Sequence, residues 1–341
     1  MVAPWIAAQN RQLLAQRGHA WLLQGPSGLG QYSLALELVR AWLCDRPTPD
    51  GACGQCGSCH AIEVRAHADV CVLMPETDML RLAWPLSEKA QAEIDDKKRK
   101  PSKEIRVDAM RDAVEFSQRT SGRGRGKAVL VYPAERMNAI TANALLKTLE
   151  EPPGDVKFVL ASEAAHQLLP TIRSRCIAHT MTWPEPAPSL EWLASQGVAL
   201  TEADELLRAA GGRPEDAAQL AQAGRSGKSW SLLPKAMARG DVSAVSGFTP
   251  AEVVDALQKI CHDLFSMQVG ASPRFFAAAD LPGPVAVGAL SRWWRDLVRE
   301  GRTVEHPFNA GLMLEALVSQ AHIALNSGRA WNSPRRISGG R

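Results

Sequence analysis

Residues Gly25 to Tyr32 read Gly-Pro-Ser-Gly-Leu-Gly-Gln-Tyr, the glycine spacing of a loop that wraps phosphates with its backbone N–H groups. Two side chains decide what such a loop can do. In the pattern G-x-x-x-x-G-K-[ST], the lysine neutralises the β and γ phosphates and the hydroxyl holds magnesium. Those positions are Gln31 and Tyr32 here. An amide carries no charge, a tyrosine oxygen lies well beyond where a Ser or Thr hydroxyl meets the metal, and Ser33 points about 100° further around a helix. Losing charge-assisted contacts at roughly 1.5 to 3 kcal/mol each lowers nucleotide affinity by about two to four orders of magnitude. The expectation is a loop framed by Gly25, Gly28 and Gly30 that neither holds ATP well nor turns it over.

A second constellation is Cys44-x8-Cys53-x2-Cys56-x2-Cys59, on a turn rich in glycine and proline. Four thiolates at this spacing suit one tetrahedral zinc, and a site with four protein ligands has no open position for catalysis. The zinc is therefore expected to be structural. His60, next to Cys59, is placed on the surface. The chain has seven cysteines and no basic leader followed by an apolar core, which favours metal over disulfides and a cytoplasmic protein.

These groups need elements to hold them. Trp21-Leu22-Leu23 reads as the strand feeding the loop, and an apolar helix from about Ser33 to Cys44 leaves it, after an opening helix over Trp5 to Arg17. Asp69 to Met74, Lys127 to Tyr132, Lys157 to Ser162 and Ile177 to Met181 read as further strands, the second a continuous apolar run of the buried parallel type. A working ATPase ends such a strand in acids that hold magnesium. This one ends Tyr132-Pro133-Ala134-Glu135, with its one acid past the tip. Amphipathic helices are expected over Val107 to Phe116 and Thr141 to Glu150, and a short one over Ala165 to Arg173. The charge-mixed stretch from Ala90 to Lys103, with Lys97-Lys98-Arg99-Lys100, reads as a solvated or mobile loop, and Gly122-Arg123-Gly124-Arg125-Gly126 as a flexible turn. With 341 residues, 45% hydrophobic and 22% charged, the chain is of ordinary soluble composition, and no apolar run approaches a membrane span. A net charge of +3 implies no nucleic-acid binding by itself.

The order of loop, four cysteines, the string Asn143-Ala144-Leu145-Leu146-Lys147-Thr148-Leu149-Glu150-Glu151-Pro152-Pro153, and Thr171-Ile172-Arg173-Ser174-Arg175-Cys176 resembles the AAA+ subunits of bacterial DNA polymerase III clamp loaders. Residues 1 to about 225 carry the likeness. It implies an α/β fold: a parallel-sheet nucleotide-binding-type domain over residues 1–180 with an inserted zinc module at 44–59, a small helical lid over 181–225, and an all-α collar over 226–327. It implies a place in a five-membered ring with ATPase subunits and a delta subunit, which opens a sliding clamp and closes it on primed DNA, with no membrane involved. In that family the arginine of Ser-Arg-Cys reaches the γ phosphate held by a neighbouring subunit. The resemblance therefore assigns a finger to Arg175, flanked by Ser174 and Cys176, with Arg173 as the alternative. A lid arginine that contacts the subunit's own nucleotide corresponds in place to Arg213.

Pro184, Pro186 and Pro188 read as a break after the first domain. Beyond it, Leu190 to Ser195 and Glu202 to Ala210 read as short helices, and Ser229 to Ser327 as amphipathic ones anchored by Trp230, Phe265, Trp293 and Trp294. The tail from Gly328 to Arg341, with four arginines and no acid, reads as disordered. Two other functions compete: an active ATPase with an atypical phosphate loop, and a zinc-dependent DNA-binding module. The first requires turnover by the isolated chain, the second DNA binding that is lost with the cysteines.

Overall fold

Lys127–Val131 is buried at every position, as a strand covered on both faces must be, and it lies inside a five-stranded parallel sheet. In this computed structural model, which describes residues 2–304 and 309–327, the strands are β1 (Ala20–Gln24), β2 (Val70–Leu73), β3 (Lys127–Val131), β4 (Val156–Ser162) and β5 (Ile177–Thr180). Their order is β2-β3-β4-β1-β5. The edge strands β2 and β5 are the partly exposed ones. Eight helices belong with the sheet: α1 (Pro4–Leu14), α2 (Gln31–Leu43), α3 (Gly57–Glu63), α4 (Glu76–Arg81), α5 (Glu88–Asp95), α6 (Val107–Gln118), α7 (Ala139–Glu150) and α8 (Pro170–Arg173).

Period-two alternation sends Ala20, Leu22, Val129, Val131, Phe158 and Leu160 to one face, where they meet Met110, Ala113, Leu145 and Ile172 of α6, α7 and α8. Helix α2 packs against β1, β3 and β4, with Leu34, Ala35, Leu38 and Val39 fully buried. Loops at the carboxyl ends of β1 and β3 therefore emerge along one rim, where open parallel sheets place ligands.

Two expectations are corrected. The stretch from Ala90 to Lys103 is not a loose solvated loop: residues 76–102 form an excursion carrying α4 and α5. Glu76 closes its base. The carboxylate accepts from Arg99 Nη1 at 2.5 Å and Nη2 at 2.8 Å and from the Ser102 N–H at 2.7 Å, while Arg99 Nε reaches Glu93 at 2.7 Å. A bidentate guanidinium fixes this carboxylate in one geometry, and removing either partner would leave a nearly buried charge uncompensated. The second correction concerns Ala165 to Arg173, which is a 3-10 turn at Ala165–Gln167 followed by α8. Pro170 is the cause, since it forces Leu169 out of the helical region (φ −55°, ψ 134°).

A second compact unit begins at Ser189. Helix α9 (Pro186–Ser195) starts earlier than expected because Pro186 and Pro188 are tolerated in a first helical turn. It is followed by α10 (Leu200–Ala209) and α11 (Pro214–Gln222), which share with it a core of Leu193, Ala203, Leu206, Leu207 and Ala217. Helices α12 (Gly227–Arg239), α13 (Pro250–Gln268), α14 (Val287–Gly301) and α15 (Ala310–Asn326) close a separate core. There Trp230 stacks on Phe276 at 4.8 Å, and the buried Asp263 carboxylate accepts the N–H groups of Arg274, Phe275 and Phe276. Trp293 is buried and Trp294 is half exposed, as adjacent helical positions require. The tail expected to be disordered, 328–341, lies outside the described residues. No helix among the described residues is long and apolar enough to cross a membrane.

Candidate functional site

The phosphate loop has the shape its glycines require and side chains that close it. Gly30 sits at φ 93° as the N-cap of α2, and a Cβ on Gly25 would meet Met181 Cβ at 3.0 Å. Gln31 is only 2% exposed. Its Nε2 donates to the Gly25 and Pro26 carbonyls at 2.8 and 2.6 Å, so the group at the lysine position is turned onto the loop's own backbone.

Tyr32, half-buried, is turned onto the protein as well. Its ring lies 5.3 Å from that of Tyr132, and its hydroxyl accepts a 2.7 Å bond from Trp84 Nε1. Trp84 comes from the 76–102 excursion and has the Arg65 guanidinium 4.6 Å above its ring. The two positions that depart from the ATPase pattern, one after β1 and one at the tip of β3, are thus packed against each other. Tyr132 donates to Glu163 at 2.7 Å. Burial pushes both tyrosine hydroxyls above their ordinary value, which keeps them neutral donors and acceptors. Glu135, the acid past the strand tip, accepts from Ser162 Oγ at 2.8 Å and the Glu163 N–H at 3.1 Å. Sequence reading missed Trp84, which sits 52 residues from Tyr32 with no local pattern to link them.

The four sulfurs of Cys44, Cys53, Cys56 and Cys59 converge, all within 4.8 Å of one another. Cys44 lies 3.7 Å from both Cys56 and Cys59, close to the ~3.8 Å edge of a sulfur tetrahedron with 2.3 Å metal bonds. The Cys53 N–H points at Cys44 Sγ (3.3 Å) and the Cys59 N–H at Cys56 Sγ (3.4 Å), bonds that favour thiolate over thiol. The Gln55 N–H and its neighbours draw the Cys53 thiol down to about 6, whereas burial pushes Cys59 up to about 12. All four are free of disulfides, and His60 is exposed outside the cluster. The group fits one metal ion held by sulfur alone.

The glycine-arginine turn is fastened beside this module. Asp69 accepts from the Gly122 and Arg123 N–H groups at 2.7 and 2.9 Å, and Arg123 Nη1 reaches Ser58 Oγ, itself bound to Asp45. Its expected flexibility is not what the hydrogen bonds show.

Arg175 lies at another edge of the first unit. Its Nε donates to Glu150 Oε1 at 2.6 Å, Nη2 reaches the same oxygen, and Nη1 donates to the Thr171 carbonyl at 2.8 Å. Ser174 Oγ bonds the Thr171 carbonyl at 3.2 Å and receives a longer 3.4 Å contact from Arg175. Cys176 is partly buried against the sheet core, and burial pushes its thiol up to about 12. Arg173 is exposed. Within the second unit, Arg213 donates from Nε to the Ala210 carbonyl at 2.7 Å and pairs with Asp216 at 3.0 Å, so its guanidinium is engaged by its own segment at the start of α11.

The family model described as "DNA polymerase III, delta subunit" matches residues 7–184. DNA polymerase III subunit delta' of Pseudomonas aeruginosa is 42% identical over 226 residues, covering 64% of this chain and 61% of that protein. Subunit delta' of Escherichia coli is 33% identical over 211 residues, covering 60% and 56%. A solved gamma subunit-related protein of Thermotoga maritima aligns with 94% of this chain and 99% of its own at 17% identity and a TM-score of 0.49. The matches to the two delta' relatives thus span about three fifths of their length. With its Leu-Lys-Thr-Leu-Glu-Glu-Pro-Pro and Ser-Arg-Cys strings inside the matched 178 residues, the chain belongs to the DNA polymerase III delta-subunit family, beside its delta' members.

Proposed function

We propose that this chain is a non-hydrolysing AAA+ subunit of a DNA polymerase III clamp loader that supplies Arg175 in trans to ATP held by a neighbouring subunit. The observation that carries the reading is the inward turn of Gln31 and Tyr32. A loop whose lysine position is spent on its own carbonyls, and whose hydroxyl position is a half-buried tyrosine bonded to Trp84, has neither the cation for the γ phosphate nor the hydroxyl for magnesium. Arg175 is the complementary half: a guanidinium at the surface, of the kind that stabilises charge on a transferring phosphoryl and is worth about 10³ to 10⁵ in rate in GTPases.

On this reading the chain joins the ATPase subunits and a delta subunit in a five-membered ring, acting with them on the sliding clamp and primed DNA. Residues 181–225 form a small lid and 226–327 a collar that holds the ring. One structural zinc on Cys44, Cys53, Cys56 and Cys59 staples the module after α2, and the chain itself binds no ATP. The test is ATP turnover by the ATPase subunits reconstituted with this chain, clamp and primed DNA. With Arg175→Ala the complex should assemble while turnover at the shared interface collapses. Unchanged turnover removes the finger assignment, and hydrolysis by the isolated chain removes the non-hydrolysing one.

A further inference from the structure

Arg175 is not a free side chain. Glu150 Oε1 takes both Nε and Nη2, and the Thr171 carbonyl takes Nη1, so the guanidinium is held along one edge and from behind. A guanidinium has five N–H donors in a fixed plane, and this grip leaves donor capacity at its outer end. Next to it lies a shallow cleft, widely open to solvent, bordered by His19, Leu149, Glu150, Ser174 and Arg175. The carboxylate is itself held in place. Glu150 is the last residue of α7, and His19, at the entry to β1, donates Nε2 to the preceding Leu149 carbonyl at 2.8 Å. A chain of contacts therefore runs from the sheet through α7 to the guanidinium.

We infer that Glu150 is a positioning residue for Arg175: it fixes the guanidinium plane so that its outer edge faces the cleft in which a partner's phosphate is received. The inference rests on Arg175 acting in trans as proposed above. The physical gain is rotamer freedom given up in advance. An arginine side chain has many rotamers to lose, and a finger already oriented loses fewer of them when the phosphate arrives. Glu150 touches neither substrate nor nucleotide; its effect passes through Arg175.

Two substitutions separate reach from charge. Glu150→Asp keeps the charge and shortens the arm by one methylene, while Glu150→Gln keeps an acceptor oxygen at the same reach and loses the charge. In the reconstituted loader, Glu150→Asp should lower kcat for ATP about 10-fold with KM and assembly unchanged. Glu150→Gln should retain most of the activity. On an Arg175→Ala background neither change should lower kcat further, because their effect has nothing left to act through. Full activity of Glu150→Asp while Arg175→Ala is severely impaired overturns the positioning role and leaves the finger standing. A rise in kcat with Glu150→Gln overturns it too, since it marks the carboxylate as a restraint on the finger. Normal turnover with Arg175→Ala removes both readings together.

Discussion

The phosphate loop and the Arg175 cleft lie in the same unit, and their polar groups are used in opposite ways. At the loop, each side chain in a position that would handle nucleotide bonds its own chain: Gln31 to loop carbonyls, Tyr32 to Trp84, Glu135 to the start of the loop after β4. At the cleft, a guanidinium is held along one edge and borders open space. On the proposed reading, the difference separates a site satisfied from within from one completed from outside. Hydrogen-bonding capacity consumed inside the fold is not available to a ligand, and capacity left at a surface is.

The largest effect that tests this contrast is on the outward side. Arg175→Ala should cut turnover by the reconstituted loader by about 10³-fold or more at the shared interface, read as single-turnover phosphate release. A loss below 10-fold places the finger elsewhere, with Arg173 next to be replaced.

The sulfur cluster comes next. Metal analysis of the purified chain should find about one zinc, and a chelator or Cys56→Ser should lower the thermal midpoint of unfolding by on the order of 10 °C, because metal binding there is folding free energy. A loss of DNA binding with no change in the midpoint favours a zinc-dependent nucleic-acid module instead.

Rebuilding the inward side should give a partial gain. Gln31→Lys with Tyr32→Thr should tighten Mg-ATP binding by about 10²-fold in calorimetry yet produce no hydrolysis, because β3 is still followed by Tyr132 where an acid is needed. Turnover by this variant contradicts the view that both stations are disabled.

The smallest effect belongs to the excursion. The Arg99 guanidinium holds the Glu76 carboxyl below its ordinary value of 4.5. A carboxyl lowered in the folded state stabilises it fully above that value and loses the contribution as pH falls through the folded one. Denaturant unfolding should therefore show acid sensitivity below about pH 4.5 that is reduced in Glu76→Gln, a variant less stable than the parent at neutral pH. Equal acid sensitivity in the two proteins places the acid-labile groups elsewhere.

Most of the first unit was legible because its signals are local. A continuous apolar run marks β3, alternation marks its neighbours, and glycines that adopt positive φ mark the loop at Gly28 and Gly30. The cysteine cluster was legible for the same reason, its ligands lying within 16 residues. The stretch from Ala90 to Lys103 was misread because much of its fastening reaches back to Glu76, which holds Arg99 and Ser102 from 23 and 26 positions away, against a local composition that looks solvated. Helix starts at Pro186 and Pro170 were blurred for a related reason, since a proline ends one element or opens another according to its position within it.

The amino-acid sequence by itself determined what the site lacks and what it owns: Gln31 and Tyr32 in place of the groups that hold phosphate and magnesium, four cysteines at metal spacing, and Arg175 within Ser-Arg-Cys. These are matters of residue type, which no fold alters. Only the tertiary structure decided that Tyr32 is sealed by Tyr132 and Trp84, and that Arg175 rests on Glu150. Those pairings join residues from 25 to 100 positions apart, and only the packing of the strands and helices that carry them brings such partners together.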